Sequence, residues 1–415
     1  MNTGEQNFAI SGAKPRFDKP IPIGQLYFPS WERYEASFRG IFERQYYTNN
    51  GPLLTELEDK LQRFLGVKHA ICVSNATFGL MMAAEVMNLS GKVILPSFTF
   101  IASAQSLSWS GIEPIFCDVD PLTHQIAIEK LDALIDEHVT GIMGVNLWGG
   151  ACNPVALEQY AQKHGLKLYF DSAHAFGCAV DNTKIANFGS VEVFSFHATK
   201  VLSATEGGCV CTNDDDLASR LRSIRPSYGN TDSVEITKVA NARMSEAQAA
   251  IALLSLEDFP KNQQKNETLF RLYEERLRNI PGIRLVIPAG VSFSNYQYIV
   301  CEVDEKIFGL SRDSLITVLK AENVNARRYF YPGTHRSIGY LKSLPEYNDT
   351  LPVTDSLCAT CLQLPVGAMV GFDDVAAICE IIDNCQRNSH FLRSFLAEKE
   401  IKAHNHSAEI RSQYE

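Results

Sequence analysis

Between His69 and Asn213 the chain alternates short, strongly apolar runs with segments whose apolar residues recur at helical spacing. The runs are HAICVS (69–74), KVILPS (92–97), EPIFCDV (113–119), TGIMGVN (140–146), LKLYFD (166–171), VEVFSF (191–196) and GCVCTN (208–213), each bounded by polar residues or glycine. Between them, TFGLMMAAEVM (77–87) and NPVALEQYAQKHG (153–165) carry a helical stripe, the second stopping at Gly165. This alternation predicts an α/β fold built on a large, mostly parallel sheet of seven strands with helices on its faces. In such sheets ligands bind beyond the carboxyl ends of the strands, so Asp171 and the segment after Phe196 fall where a site is expected.

A chain of 415 residues exceeds what one compact core usually supports, so two domains are expected. The texture changes after Leu256. Residues 257–286 are charged, contain Pro260 and read as a long exposed helix leading into a second unit. A strand over 293–303 and helices over 311–324 and 373–385 then make a smaller C-terminal α/β domain. The expected division is a flexible N-terminal segment (1–20), a large domain (21–260), a small domain (261–390) and a polar tail (391–415).

Composition excludes several classes of function. With 45% hydrophobic and 21% charged residues the chain is an ordinary globular protein. A net charge of −10 gives no general attraction for nucleic acid or an anionic membrane, so any polyanionic ligand needs local cations. No apolar run approaches the roughly 20 residues that span a bilayer. The eleven cysteines lie mostly within apolar stretches, as buried free thiols do, and no signal peptide is evident, so a reducing cytoplasm is expected. Cys358 and Cys361 form a CxxC, but no second pair or histidine spacing completes a zinc site, and no metal is expected.

Two of the apolar runs deliver one charged group each at their ends: Asp171 in FDSAHAFG, and Lys200 in SFHATK. A lysine withdrawn from water loses proton affinity, and its free amine becomes a nucleophile toward a carbonyl. Pyridoxal phosphate has such a carbonyl, and its ring nitrogen needs an anionic partner, which Asp171 supplies. Taken singly, Lys200 reads as a surface lysine after a strand and Asp171 as a helix cap; their company favours the cofactor. VSNATFGL (73–80) closes a strand and opens a helix, so Ala76, Thr77 and Phe78 offer backbone amides and a hydroxyl to a phosphate, although Thr77 alone also reads as a plain cap. Phe100 of PSFTF either covers a ring face or fills the core. His174 either donates to the cofactor's phenolic oxygen or is structural, and Ser195 either touches phosphate or bonds its own backbone.

SNATFGL, PSFTF, FDSAHAFG, SFHATK with its following EGG, and NARMSEAQAAIALLSLE (241–257) together resemble the signature blocks of the DegT/DnrJ family of pyridoxal phosphate-dependent nucleotide-sugar aminotransferases. The resemblance runs in order over about residues 20–385 and includes YYTNNGPLLTELEDKLQRFLG (46–66). It implies a fold type I aminotransferase, working as a homodimer with shared active sites and passing through pyridoxamine phosphate. It also implies that Lys200 carries the cofactor, Asp171 pairs with the ring nitrogen, His174 and Phe100 lie by the ring, and Thr77, Ser195, Ala76 and Phe78 hold the phosphate. The block that brings an asparagine from a neighbouring subunit to the phosphate matches Asn241, with Arg243 beside it; Ala242 departs from the tyrosine common there.

The resemblance also bears on the reaction. Relatives that dehydrate sugars at C3 have histidine in place of the lysine; here the lysine is present, so transamination is expected. The implied donor is L-glutamate and the implied acceptor a nucleotide-linked keto-sugar, with C4 of dTDP-4-keto-6-deoxyglucose favoured over C3 amination or a GDP-sugar of the perosamine type. A sugar dehydratase and a non-catalytic homologue remain as contrasting readings. In RRYFYPGTHRSIGY (327–340), Arg327, Arg328, Tyr331 and His335 are the expected contacts of the sugar nucleotide. YYTNNG is expected to border the sugar.

Overall fold

A computed structural model describes residues 8–227, 238–347 and 349–399. The seven apolar runs each form a strand: β1 (His69–Val73), β2 (Lys92–Pro96), β3 (Glu113–Cys117), β4 (Val139–Val145), β5 (Lys167–Asp171), β8 (Val191–Ser195) and β9 (Gly208–Thr212), with a two-stranded hairpin, β6 (Ala179–Val180) and β7 (Thr183–Lys184), set outside their sheet. The seven-stranded order is β1-β9-β8-β5-β4-β2-β3. The four contacts from β8 through β5, β4 and β2 to β3 are parallel, while β9 runs antiparallel to both its neighbours. In register, Asp171 lies between Val145 of β4 and Val193 of β8, so it ends a central strand.

Helices α1 (Trp31–Arg44), α2 (Pro52–Leu65), α3 (Ala76–Val86), α4 (Ile101–Trp109), α5 (Pro154–His164) and α6 (Asp215–Ile224) accompany this sheet. α3 and α5 start on Asn75 and Asn153, whose side chains accept from amides in the first turn, and α5 stops where Gly165 adopts φ 67°, a conformation glycine takes without penalty. Two apolar clusters lie on opposite faces of the sheet, one built on Leu57, Cys72, Ile94, Phe170 and Phe194, the other on Ile71, Val73, Leu95, Tyr169 and Val193. The alternation of these residues along β1, β5 and β8 is the two-residue period of a strand covered on both sides.

The long helix expected over 257–286 is α7, Glu246–Leu277, and one face of it is buried along its length. It begins earlier because Ser245 and Gln248 form a reciprocal capping box, and Leu269, Phe270, Tyr273 and Leu277 are buried. Up to Phe259 it packs into the first core and from Leu269 into a second one; Pro260, which cannot donate to the helical ladder, sits at the changeover. The second core is covered by β10 (Ile283–Leu285), β11 (Ile299–Val303) and β12 (Cys361–Leu364), an antiparallel sheet, and by helices Arg312–Ala321 and Phe372–Arg387. β11 is shorter than the strand expected over 293–303, because the side chains of Asn295 and Gln297 grip the carbonyl of His174 instead of letting the backbone pair.

Both ends differ from the expected fraying where they are described. Phe8 is 3% exposed within the second core, and Ala9 N–H donates to Glu322 at 2.7 Å. Residues 389–399 are helical and Leu392 is buried in the same core; the rest of the expected tail, 400–415, and residues 1–7 lie outside the described residues. A fourth apolar cluster joins the two units: Phe98, Leu147 and Trp148 from the ends of the large sheet meet Tyr298, Val300 and Phe330. The carboxyl ends of β4, β5 and β8 open at this seam.

Candidate active site

Where β8 ends, the chain turns, Lys200 N–H donating to the carbonyl of His197 at 2.9 Å. The turn carries Lys200 back under the sheet edge, where its Nζ donates to Tyr298 Oη at 3.0 Å. Burial pushes the ammonium down to about 8; Tyr329 and Asp171 oppose that shift, and the Arg327 charge adds to it. About a tenth of the amine is therefore unprotonated at pH 7, far more than for a solvated lysine.

Asp171 is 7% exposed. Its Oδ2 accepts from Ser103 Oγ at 2.7 Å and its Oδ1 from Ala173 N–H at 3.1 Å. Burial raises its pKa, while these hydrogen bonds and the nearby Lys200 hold it down. Among the described residues no cation is ion-paired with it. His174, 5% exposed, has its Nε2 3.1 Å from Tyr298 Oη, and its buried Nδ1 has no partner among the described residues. Burial holds its imidazole neutral. Trp148 lies over it at 5.4 Å and stacks on Phe330 at 5.2 Å.

The opposite end of the site is the start of α3. Asn75 Oδ1 accepts from Phe78 N–H at 2.9 Å, leaving the amides of Ala76 and Thr77, which have no carbonyl one turn back inside the helix, at its positive end. Gly208, opening β9, has no room for a side chain: a Cβ there would stand 2.8 Å from Ala76 N. Its absence lets the strand end close on the helix terminus.

These groups enclose one cavity of about 300 Å³, at the small end of the roughly 300–1,000 Å³ usual for ligand sites. Of the residues singled out from sequence, Ala76, Thr77, Phe100, Asp171, His174, Ser195, Lys200 and Arg327 line it. Phe100 leaves 57% of its surface exposed, a large apolar face open to a ligand. The others lie elsewhere. Phe78 spends its amide on Asn75 and packs its ring against the sheet core. Arg243 donates to Asn241 Oδ1, at 3.1 and 2.9 Å, and to Asn49, away from this cavity. Arg328 pairs with Asp313 at 3.7 Å and lies 4.6 Å over the half-exposed Tyr331 ring. His335 is fully buried, with Nδ1 2.7 Å from Ser97 Oγ and Nε2 3.1 Å from Asp355; it braces the second unit against the end of β2 and does not face the cavity.

Sequence reasoning missed several lining residues: Asn146 and Leu147 past β4, His197, Thr199 and Glu206 around Lys200, and Tyr329 and Phe330. It also missed Ser103 and Tyr298, which hold Asp171 and Lys200. NLWGG, polar and aromatic just beyond a strand's carboxyl end, signals Asn146 and Trp148; nothing local marks Tyr298.

The donor set fits pyridoxal phosphate. A buried carboxylate without a cation can face a protonated ring nitrogen, an orphaned imidazole nitrogen can face a phenolic oxygen, and a helix terminus can face a phosphate. A second polar cluster, His124, Glu302 and Cys361, is occupied internally. Trp148 Nε1–H donates to His124 Nδ1 at 3.1 Å, so the imidazole proton is on Nε2 and goes to Glu302 at 2.7 Å. Arg284 also bonds Glu302. A cation there would need that proton and that guanidinium displaced.

Comparison with known proteins matches residues 31–383 to the model of the DegT/DnrJ/EryC1/StrS aminotransferase family. A dTDP-4-amino-4,6-dideoxy-D-glucose transaminase of Shigella dysenteriae is 37% identical over 316 residues, 76% of this chain and 86% of the relative. A GDP-perosamine synthase of Vibrio cholerae is 28% identical, with 88% and 98% covered. Among solved structures, DesI in the presence of its TDP-sugar product superposes with a TM-score of 0.88 at 37% identity, covering 94% of this chain and 99% of that one.

Proposed function

Because this chain belongs to the DegT/DnrJ/EryC1/StrS aminotransferase family, we propose that it transfers an amino group from L-glutamate to C4 of dTDP-4-keto-6-deoxyglucose, giving dTDP-4-amino-4,6-dideoxyglucose. It is a pyridoxal phosphate-dependent aminotransferase acting on nucleotide sugars. One observation carries the chemistry: a lysine amine with lowered proton affinity and a buried carboxylate open into the same cavity. The choice of sugar and ring position rests on the similarity to the Shigella enzyme.

The bound cofactor supplies a carbonyl that accepts the amino group and a ring that takes up electron density. Asp171 would keep the ring nitrogen protonated, helped by Ser103. The amides of Ala76 and Thr77 and the hydroxyls of Thr77 and Ser195 would hold the phosphate, and Phe100 would cover one ring face. Lys200 would hold the cofactor, and its free Nζ would take the proton from the donor's α-carbon and, in the second half-reaction, deliver a proton to sugar C4. Its lowered pKa suits both directions near neutral pH. Arg327, the one arginine among the lining residues, offers the cation that an anionic substrate needs in a protein of net charge −10.

We assign a homodimer with shared sites: Asn241 and Arg243 sit off their own chain's cavity, and α1 exposes Trp31 and Phe42 by 65% and 74%, an unusual apolar display for a lone surface helix. Cytoplasmic placement is supported by eleven cysteines that are all buried and free. No described helix is long and apolar enough to cross a membrane. The test is product mass after incubation with glutamate and, separately, dTDP- and GDP-linked 4-keto-6-deoxyhexoses and a 3-keto analogue. A 4-amino product from the dTDP substrate is expected. An amino product only from the GDP sugar or the 3-keto sugar would replace the substrate assigned here, and a deoxygenated product without amine would replace the reaction.

A further inference from the structure

Tyr298 touches both the site's amine and the imidazole beside it. Its hydroxyl is 3.0 Å from Lys200 Nζ and 3.1 Å from His174 Nε2, its ring lies 4.3 Å from the imidazole, and it is 3% exposed. Lys200 and His174 belong to loops at the carboxyl ends of the large sheet, whereas Tyr298 enters from the second unit, one residue before β11. The contact therefore exists only when the two units are packed across their shared aromatic seam.

We propose that Tyr298 is a further catalytic residue of the transamination: its phenol anchors the Lys200 amine whenever that amine is not bonded to the cofactor, donating to it or accepting from it according to the amine's proton. This rests on Lys200 being the cofactor-bearing amine. Burial holds Tyr298 as a neutral phenol and His174 as a neutral imidazole, so neither competes for the charge. With Lys200 as ammonium, Nζ–H donates to Oη, the phenol donates to His174 Nε2, and the imidazole proton resides on Nδ1. With Lys200 as free amine, the phenol donates to Nζ, Nε2–H donates to Oη, and Nδ1 is bare. Both arrangements leave the phenol fully hydrogen-bonded, and Nδ1, which has no protein partner, is the atom whose role changes. The other groups facing the amine, Asp171, Tyr329 and Arg327, act on it through charge and not through a hydrogen bond.

The experiment uses full-length protein loaded with pyridoxamine phosphate, in which Lys200 is unbonded. Its labelling by acetic anhydride is followed across pH by mass spectrometry of the Lys200 peptide, for the unaltered protein and for Tyr298→Phe. A hydrogen bond to an ammonium is stronger than one to an amine, so the variant should label with a midpoint about one pH unit lower, with kcat down about tenfold and KM for the sugar little changed. An unchanged or higher midpoint overturns the proposal. If Phe at 298 unfolds the protein, as circular dichroism reports, 3-fluorotyrosine at 298 decides: its hydroxyl is a weaker acceptor, so a smaller downward shift is expected and none overturns. Borohydride reduction of the unaltered, pyridoxal phosphate-loaded protein separates the two ideas. If the Lys200 peptide is unmarked, the reading of Lys200 fails; if it is marked and the midpoint does not move, the role of Tyr298 alone fails.

Discussion

Ser103 Oγ, in the first turn of α4, donates to Asp171 Oδ2 at 2.7 Å, so the carboxylate at the end of β5 is held by the helix that follows β2, two strands away in the sheet, and by no ion pair among the described residues. Burial alone would drive Asp171 toward its protonated form; the Ser103 hydroxyl is the largest influence opposing it. Ser103→Ala should therefore weaken cofactor binding about tenfold, the loss of one hydrogen bond to a charged group, measured by titrating cofactor-free protein. The deficit should widen as pH falls, because the variant's carboxyl protonates more readily.

Phe100 separates binding from folding. With 57% of its surface exposed, Phe100→Ala should change unfolding free energy by less than about 0.5 kcal/mol while lowering cofactor affinity roughly three- to tenfold, the worth of one aromatic stack. Denaturant titration and cofactor titration of the same protein check both halves.

His335 behaves as a strut. His335→Leu should cost about 2–3 kcal/mol of stability by stranding Ser97 and loosening Asp355, with KM for the sugar nucleotide unchanged in the folded fraction. Burial lowers the pKa of both His335 and His174 below the value near 6.5 of an unfolded histidine. The unfolded chain then binds more protons below about pH 6.5, so their contribution is complete above that pH and is lost as pH falls through it. Denaturant midpoints between pH 7.5 and 5 should decline, and less steeply in His335→Leu.

The pKa of about 8 at Lys200 sets the rate of cofactor capture. Only the free amine attacks a carbonyl, so stopped-flow mixing of cofactor-free protein with pyridoxal phosphate should show a rate that rises with pH through about 8 and levels above it.

The sheet was legible because its strands are continuous apolar runs ended by polar residues, and the strand-end rule put Asp171 and the Lys200 turn at one edge. Ser103 and Tyr298 were not, since each matters through a partner far along the chain: a serine within the helix sequence IASAQSLSW carries no mark of the carboxylate it meets. His335 misled for the same reason. It sits in a loop rich in arginine and tyrosine, and only the packing of Ser97 and Asp355 around it shows that it is buried. The start of α7 was written in Ser245 and Gln248, a capping pair that the charged stretch after Leu256 obscured. Phe8 and Leu392 were lost in polar surroundings, where a single apolar residue decides docking.

The central claim is that Lys200 holds the cofactor opposite Asp171. Reduction of the loaded protein with borohydride followed by peptide mass mapping tests it most directly: the account predicts a pyridoxyl adduct on Lys200, absent in Lys200→Ala. An adduct confined to another lysine, or a loaded protein that borohydride leaves unmodified, would contradict it.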